Sequence, residues 1–161
     1  MLANVKSKID TPCVCDDPGC LKKRFIACMA SLEALCTELE GIADSLPDHF
    51  DSQLGLATAQ RLLATIKKAH DFEESTLYPA LTEKAGAPPE FLAIIERLKY
   101  EHWGDEDFAG EVFHQIREFA ANGKPETAER LSWTLRGLFE NMRRHIEFER
   151  EFLLPLSRAC Q

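Results

Sequence analysis

Apolar residues recur every three or four positions through four long stretches of the chain, which is the pattern of helices that bury one face. The stretches cover residues 18–45, 51–84, 89–121 and 125–159. In the first stretch the shared face carries Leu21, Phe25, Cys28, Leu32, Leu35 and Leu39. The pattern therefore predicts an all-α protein built from four amphipathic helices.

Short breaks separate these helices. The breaks contain Ser45-Leu46-Pro47-Asp48, Gly86-Ala87-Pro88 and Asn122-Gly123, and Pro125 stands where a proline opens a helix well. Short loops make consecutive long helices antiparallel, so the predicted architecture is an antiparallel up-down-up-down four-helix bundle. Pro79 and Pro155 are each expected to break or kink a helix near its end.

The chain of 161 residues is long enough for one domain with a real core. We divide it into an N-terminal cysteine-containing arm, residues 1–17, and a bundle, residues 18–161. Cys13 and Cys15, with Cys20, could hold zinc or respond to oxidation, although three thiols without a nearby histidine make an incomplete zinc site. The role of these cysteines, and of Cys28 in the first helix, stays open.

The composition excludes several classes of partner. A formal net charge of −8 argues against nucleic acid. No apolar run approaches the length of a membrane span, and residues 1–6 lack the apolar core of a signal peptide. We expect a cytoplasmic protein with reduced cysteines. No feature of the sequence indicates a protein partner.

The pattern His-x-x-x-Glu occurs in three of the predicted helices. On a helix, residues four apart lie on the same face, so each pair directs an imidazole and a carboxylate at one neighbour. Imidazoles and carboxylates on facing helices are the usual ligands of metal pairs in bundles. The predicted metal ligands are His70, Glu74, His102, Glu106, His145 and Glu149.

Counting from the loops places the three histidines at one depth. His70 and His102 each lie 14 residues from the loop between their helices, and His102 and His145 each lie 20 residues from the next loop. Antiparallel helices rise equally per residue, so the three pairs should meet in one layer. At that depth the first helix offers Phe25, Cys28, Met29 and Leu32, with Glu33 about two turns away.

Other polar and aromatic residues near the motifs have simpler expected roles. Glu73, Glu101 and Glu147 are expected on solvated faces, and His114 at the surface, over three turns from His102. Aromatic residues are expected in the core or at its rim; these include Tyr78, Trp103 and Trp133.

The combination resembles the hemerythrin-like, HHE cation-binding family: four helices, His-x-x-x-Glu before Leu-x-Pro in the second and fourth, and a histidine partner in the third. The resemblance covers residues from about 20 to 158. It implies two non-haem irons inside the bundle, joined by two carboxylates and an oxo or hydroxo bridge. Carried over by motif, Glu74 and Glu149 are the bridging carboxylates, and His70, His102 and His145 are terminal ligands.

Two departures from the family pattern bear on function. Glu106 stands where oxygen carriers have a second histidine, and the first helix lacks the histidine of the family. The ligand set therefore holds three histidines and three glutamates. Anionic ligands favour ferric iron, and this preference argues against reversible oxygen carriage. We expect one metal position to be weak or open.

The function that this resemblance implies is binding or sensing of oxygen, nitric oxide or peroxide at the two irons. One alternative is a di-iron enzyme with peroxidase-like, oxidase-like or nitric-oxide-handling activity, or one that repairs iron–sulfur clusters. Another is a bundle that stores a metal or uses it for structure, since such sites also take zinc.

Overall fold

The computed structural model describes residues 20–85 and 88–157, and these residues are almost entirely helical. The helices are α1 (Leu21–Ser45), α2 (Ser52–Phe72), α3 (Tyr78–Ala85), α4 (Pro89–Asn122), α5 (Pro125–Phe152) and α6 (Leu154–Ser157). A π-helical turn, Glu73–Leu77, joins α2 to α3. The prediction of an all-helical bundle is confirmed.

Local chemistry fixes where the helices begin. The Asp51 carboxylate accepts hydrogen bonds from the backbone N–H groups of Gln53 and Leu54 at the start of α2. Pro89 and Pro125 occupy the first positions of α4 and α5, where a missing N–H costs nothing. Three of the four predicted starts thus have an identifiable cause in the sequence.

Helices α1, α2, α4 and α5 form a four-membered ring, in which α1 and α4 each pack against both α2 and α5. Ion pairs between α1 and α5 show that these helices run in opposite directions. Arg143 contacts Glu40 at 2.7 Å, and Arg136, earlier on α5, contacts Asp44, later on α1, at 2.5 Å. This arrangement places the inward faces of the long helices around one core.

The core is apolar along most of the bundle and polar in one layer. Its fully buried apolar side chains include Leu32, Leu35, Leu39, Leu62, Ile66, Ile116, Leu131 and Leu135. Within the same interior lie His70, Glu73, His102, His145 and Glu149, each at most 6% exposed. The bundle therefore surrounds a compact polar layer with hydrocarbon.

The second and fourth predicted helices are each interrupted before a proline, as expected. The π-helical turn lies ahead of Pro79, and its end is marked by a hydrogen bond from the Tyr78 N–H to the Glu73 carbonyl. Helix α5 ends at Phe152, and α6 begins at Leu154, ahead of Pro155. A π-turn inserts an extra residue into the helical repeat, so it changes which side chains point inward.

The two tryptophans lie on the surface, which corrects their expected packing. Trp103 is 65% exposed and Trp133 is 71% exposed. Trp103 directly follows His102, whose side chain points into the core. Consecutive side chains on a helix point about 100° apart, so the side chain of Trp103 is directed away from the core.

Residues 1–17, including Cys13 and Cys15, lie outside the described residues, so the proposed domain division stays a prediction. Cys20, the first described residue, has a free thiol and is half-buried. In the described ranges, none of the helices combines the length and apolar character that crossing a bilayer demands.

Replacement of Leu135 by Ala should destabilise the bundle by about 2–5 kcal/mol, because Leu135 is completely buried and the truncation leaves a cavity. Leu92→Ala is the matched control, since Leu92 is 45% exposed and should change stability by about 0.5 kcal/mol or less. Urea unfolding of both variants checks this. Equal losses would show that the core is not packed around Leu135.

Candidate metal centre

Four buried side chains converge in the polar layer of the bundle: Glu73, His102, His145 and Glu149. One ligand atom from each lies within 4.8 Å of the others. The π-helical turn supplies Glu73, α4 supplies His102, and α5 supplies the remaining two. We call these residues the buried cluster.

The Nε2 atoms of both histidines face the interior of the buried cluster. The two Nε2 atoms lie 3.3 Å apart. His102 Nε2 is 3.1 Å from Glu73 Oε2, and His145 Nε2 is 3.5 Å from Glu149 Oε1. Two imidazole nitrogens and two carboxylates thus share one small volume.

A more exposed carboxylate contacts the other ring nitrogen of each histidine. His102 Nδ1 lies 2.7 Å from Glu74, and His145 Nδ1 lies 3.3 Å from Glu101. His70 Nδ1 lies 3.2 Å from Glu106. Outer carboxylates of this kind fix the tautomer and orientation of metal-binding histidines.

The predicted pairs therefore exchange partners between helices. Glu74, four residues after His70, contacts His102, and Glu106, four residues after His102, contacts His70. Only the third pair, His145 and Glu149, meets as the motif predicts. The exchange follows from the antiparallel crossing of α2 and α4, which brings each carboxylate nearer to the opposite imidazole.

The structure brings three of the six predicted ligands into the buried cluster: His102, His145 and Glu149. His70 is buried beside it, and its ring stacks on that of His102 with centroids 3.8 Å apart. Glu74 and Glu106 lie outside the cluster, with side chains 40% and 27% exposed. Their role as ligands stays a prediction.

Glu73 is the cluster residue that sequence reasoning assigned wrongly. It was expected on a solvated face, yet it is completely buried. Glu73 stands where α2 passes into the π-helical turn, and its N–H still bonds to the carbonyls of Ala69 and His70, so its side chain shares the inward face of His70. Two signals were available: Glu73 is three residues after His70, which also shares a face on a helix, and Pro79 indicates irregular backbone nearby.

Of the other two flanking carboxylates, Glu147 is solvated as expected, whereas Glu101 contacts a histidine of the buried cluster. Glu101 contacts His145, as described above, and is 30% exposed. Glu147 is 68% exposed and pairs with Arg150, as a solvated residue does. His114 is exposed, as expected.

Tyr78 adds a hydroxyl group to the cluster that the sequence did not reveal. Its oxygen lies 3.2 Å from His102 Nε2, and its O–H donates to Glu149 Oε1 at 3.3 Å. Burial and the negative charges of Glu149 and Glu73 raise the pKa of Tyr78, so the hydroxyl keeps its proton. The residue was expected only to pack, and a tyrosine before a proline carries no distinct sequence signal.

Unsatisfied oxygen atoms show that the cluster suits a cation. Within the described residues, both carboxylate oxygens of Glu73 and one of Glu149 are buried and make no hydrogen bond, although Glu73 Oε2 lies 3.1 Å from His102 Nε2. Such groups are costly to bury unless something compensates their charge. Imidazole nitrogens with carboxylate oxygens are typical ligands of iron, manganese and zinc. The residues present therefore fit a transition metal ion.

The protonation states of the cluster residues also suit the binding of a cation. Burial, with the charge of Glu149, raises the pKa of Glu73. Burial alone would lower the pKa of His145, but hydrogen bonds with Glu101 and Glu149 outweigh it and raise that pKa. Both shifts favour bound protons when no metal is present. A metal ion would replace these protons, so its binding should release them.

His70 is held in its neutral form. Burial, together with the charges of His102 and His145, lowers the pKa of His70 to about 2. A neutral imidazole beside the cluster keeps a nitrogen lone pair for a metal ion.

Helix α1 contributes no residue to the buried cluster, although the structure describes all of α1. Phe25 and Met29 are buried apolar side chains, and Glu33 pairs with Arg150 at the surface. Cys28 is half-buried, and burial, then the charge of Glu73, raises the pKa of its thiol. Helix α1 therefore offers the cluster no ligand, and its thiol, which feels the charge of Glu73, keeps its proton.

Comparison with protein families places this geometry in context. The family described as the hemerythrin HHE cation-binding domain matches residues 30–157. The chain belongs to this family. The resemblance drawn from the sequence motifs is thereby confirmed, and cation binding is the property that this HHE domain brings with it.

A comparison of this chain with curated proteins found no match, and a comparison with solved structures found none either.

Exchange of Glu73 for Gln should lower the bound metal much more than exchange of Glu74 for Gln. Glu73 directs two fully buried oxygens into the buried cluster, whereas Glu74 is 40% exposed and contacts the outer nitrogen of His102. Metal per chain, measured by elemental analysis after loading and desalting, checks this. The reverse order would show that the motif residue Glu74 is the ligand.

Glu101→Gln should lower the stability of the metal-free protein at pH 7 by about 1 kcal/mol, allowing for solvent screening. Hydrogen bonding from His145 lowers the pKa of Glu101 from 4.5 to about 2, so the stabilisation exists above pH 4.5 and disappears as the pH falls towards 2. Urea unfolding of wild type and variant across this pH range measures the difference.

Glu96→Gln provides the control for this pH series, because Glu96 lies on the same helix, is 72% exposed and pairs only with Lys99. Its stability should stay within about 0.5 kcal/mol of wild type throughout. A gap between wild type and Glu101→Gln that stayed constant with pH would mean that charge on Glu101 does not hold His145.

Proposed function

We propose that the protein holds two non-haem irons in the bundle and binds or senses a small ligand there: oxygen, nitric oxide or peroxide. The observation that carries the proposal is the set of buried carboxylate oxygens of Glu73 and Glu149 that make no hydrogen bond within the described residues and lie beside two imidazole nitrogens. Membership of the HHE cation-binding family supports a metal, and the mixture of nitrogen and oxygen donors suits iron. We further expect the protein to be cytoplasmic.

The buried cluster would form the stronger metal position. His102 and His145 offer Nε2 atoms, while Glu74 and Glu101 hold the Nδ1 atoms of these two rings. Because the ring orientations are set by these outer contacts, little freedom is lost when a metal binds.

The second metal position would depend on His70. Its ring lies against His102, its Nδ1 is held by Glu106, and neutrality leaves a lone pair available. Glu106 or Glu74 could add oxygen donors after a small movement. With no ligand from α1 in the cluster, this position would have fewer protein ligands and leave room for an external molecule.

Bound iron would supply a Lewis-acidic coordination position for peroxide and, in its ferrous form, electrons for oxygen or nitric oxide. The protein side contributes a dry surrounding and one protonated hydroxyl, that of Tyr78, 3.3 Å from Glu149. A buried hydroxyl donor stabilises negative charge that develops on a small ligand nearby.

An enzyme that acts on peroxide is the second candidate, and Tyr78 favours it. A phenol that keeps its proton and contacts both His102 and Glu149 can hydrogen-bond to a peroxide held inside the site. Rates of peroxide consumption separate this candidate from a binding or sensing protein.

The test is to purify the protein without oxygen, load it with ferrous iron, and record iron content and optical spectra before and after each small ligand. A spectral change that reverses when the ligand is removed supports binding or sensing, and sustained peroxide loss supports the enzyme. His145→Ala should lose most of its iron, whereas His114→Ala, at an exposed site, should retain it. Equal iron in both variants, or no spectral response to any ligand, would contradict the proposal.

A further inference from the structure

A groove of about 460 Å³ runs between α4 and α5 and reaches the buried cluster from outside. Its floor includes the ring of His145 and the Glu101 carboxylate that contacts it. The remaining lining comes from Ile94, Arg97, Leu98, Asn141, Arg144 and Phe148. The volume falls within the range of small-molecule sites.

The groove is apolar at one end and polar at the other. Ile94 and Phe148 lie at the start of α4 and the end of α5, which are neighbours because these helices are antiparallel, and Arg97 and Leu98 follow about one turn further along α4. Asn141 and Arg144 lie at the opposite end. From Asn141 to Phe148 the helix rises by about 10 Å, which is room for a medium-length hydrocarbon chain.

The charges in the groove leave an excess of hydrogen-bond donors. Glu101 is already matched by Arg97 at 2.7 Å and by His145. Arg97 uses only its Nε atom for this contact, and among residues 20–85 and 88–157 no acceptor meets its terminal nitrogens. Within the described part of the chain, Arg144 has no carboxylate partner and makes one hydrogen bond, to Asn141 at 3.1 Å.

We propose that this groove binds a medium-chain monocarboxylate, with its carboxylate at Arg144 and its hydrocarbon chain against Leu98, Ile94 and Phe148. A guanidinium group matches a carboxylate in geometry and charge, and the apolar end removes the chain from water. Such a ligand would lie across the edge of His145, next to the centre assigned above. The site is built by α4 and α5 alone, so it does not require bound metal.

Octanoate is the probe, titrated into isotopically labelled protein and followed by NMR of the leucine and isoleucine methyl groups. The titration is run on chelator-treated protein, which prevents octanoate from binding iron directly, and repeated on iron-loaded protein. Signals of Leu98 and Ile94 should shift and saturate in both. Octanol, octylamine and butyrate should bind more weakly, since each lacks the carboxylate or the chain.

Two pairs of variants locate the binding. Arg144→Gln should weaken octanoate about tenfold or more, the usual cost of losing a charged hydrogen bond. Arg136→Gln, on the same helix but outside the groove, should leave the affinity unchanged. Ile94→Glu should also weaken binding by adding a negative charge at the apolar end, whereas Leu92→Glu, at an exposed neighbour, should not.

The outcomes separate this inference from the proposed function. Saturating shifts that depend on Arg144 support the groove, even if the protein fails to bind iron. No octanoate-dependent shift at Leu98 or Ile94, equal affinity in Arg144→Gln and Arg136→Gln, or octanol binding as tightly as octanoate would each overturn the groove assignment and leave the metal proposal standing.

Discussion

Charge compensation inside an apolar bundle is the constraint on which the rest of this structure depends. Carboxylates and imidazoles are costly to bury, yet Glu73, Glu149, His102 and His145 lie together in a layer surrounded by leucine and isoleucine. The cost is partly offset by pairing each imidazole with a carboxylate, and the raised pKa values of Glu73 and His145 indicate that protons complete the balance. A cation of higher charge would satisfy the same atoms, which explains why a cation-binding family uses this layer.

The outer carboxylates connect that layer to the surface of the bundle. Glu74, Glu101 and Glu106 are partly exposed, and each contacts the Nδ1 atom of a histidine that is buried. Two of these contacts cross between the π-turn and α4 or between α2 and α4, so they also fix how the helices meet. The same contacts therefore position the imidazoles and hold the helices together.

The bundle is asymmetric around its polar layer. The π-turn, α4 and α5 supply every residue of the buried cluster, while α1 supplies none and buries Phe25 and Met29 in the apolar core. The groove between α4 and α5 reaches the layer on another side, at His145. The centre therefore takes its ligands from one part of the bundle and is within reach of molecules from solution through the groove.

The sequence by itself determined the helices, their antiparallel order and the shared depth of the three histidines. Those properties depend on local periodicity, on proline and glycine at the ends of helices, and on the constant rise per residue, all of which can be counted along the chain. The tertiary structure decided which carboxylates enter the cluster. Glu73 enters the cluster in place of Glu74 from the point where the regular helix α2 gives way to a π-turn, and Glu74 and Glu106 exchange histidine partners across the contact between two helices. Tyr78 and the groove at His145 likewise depend on contacts between segments far apart in sequence, and no spacing within a single helix encodes them.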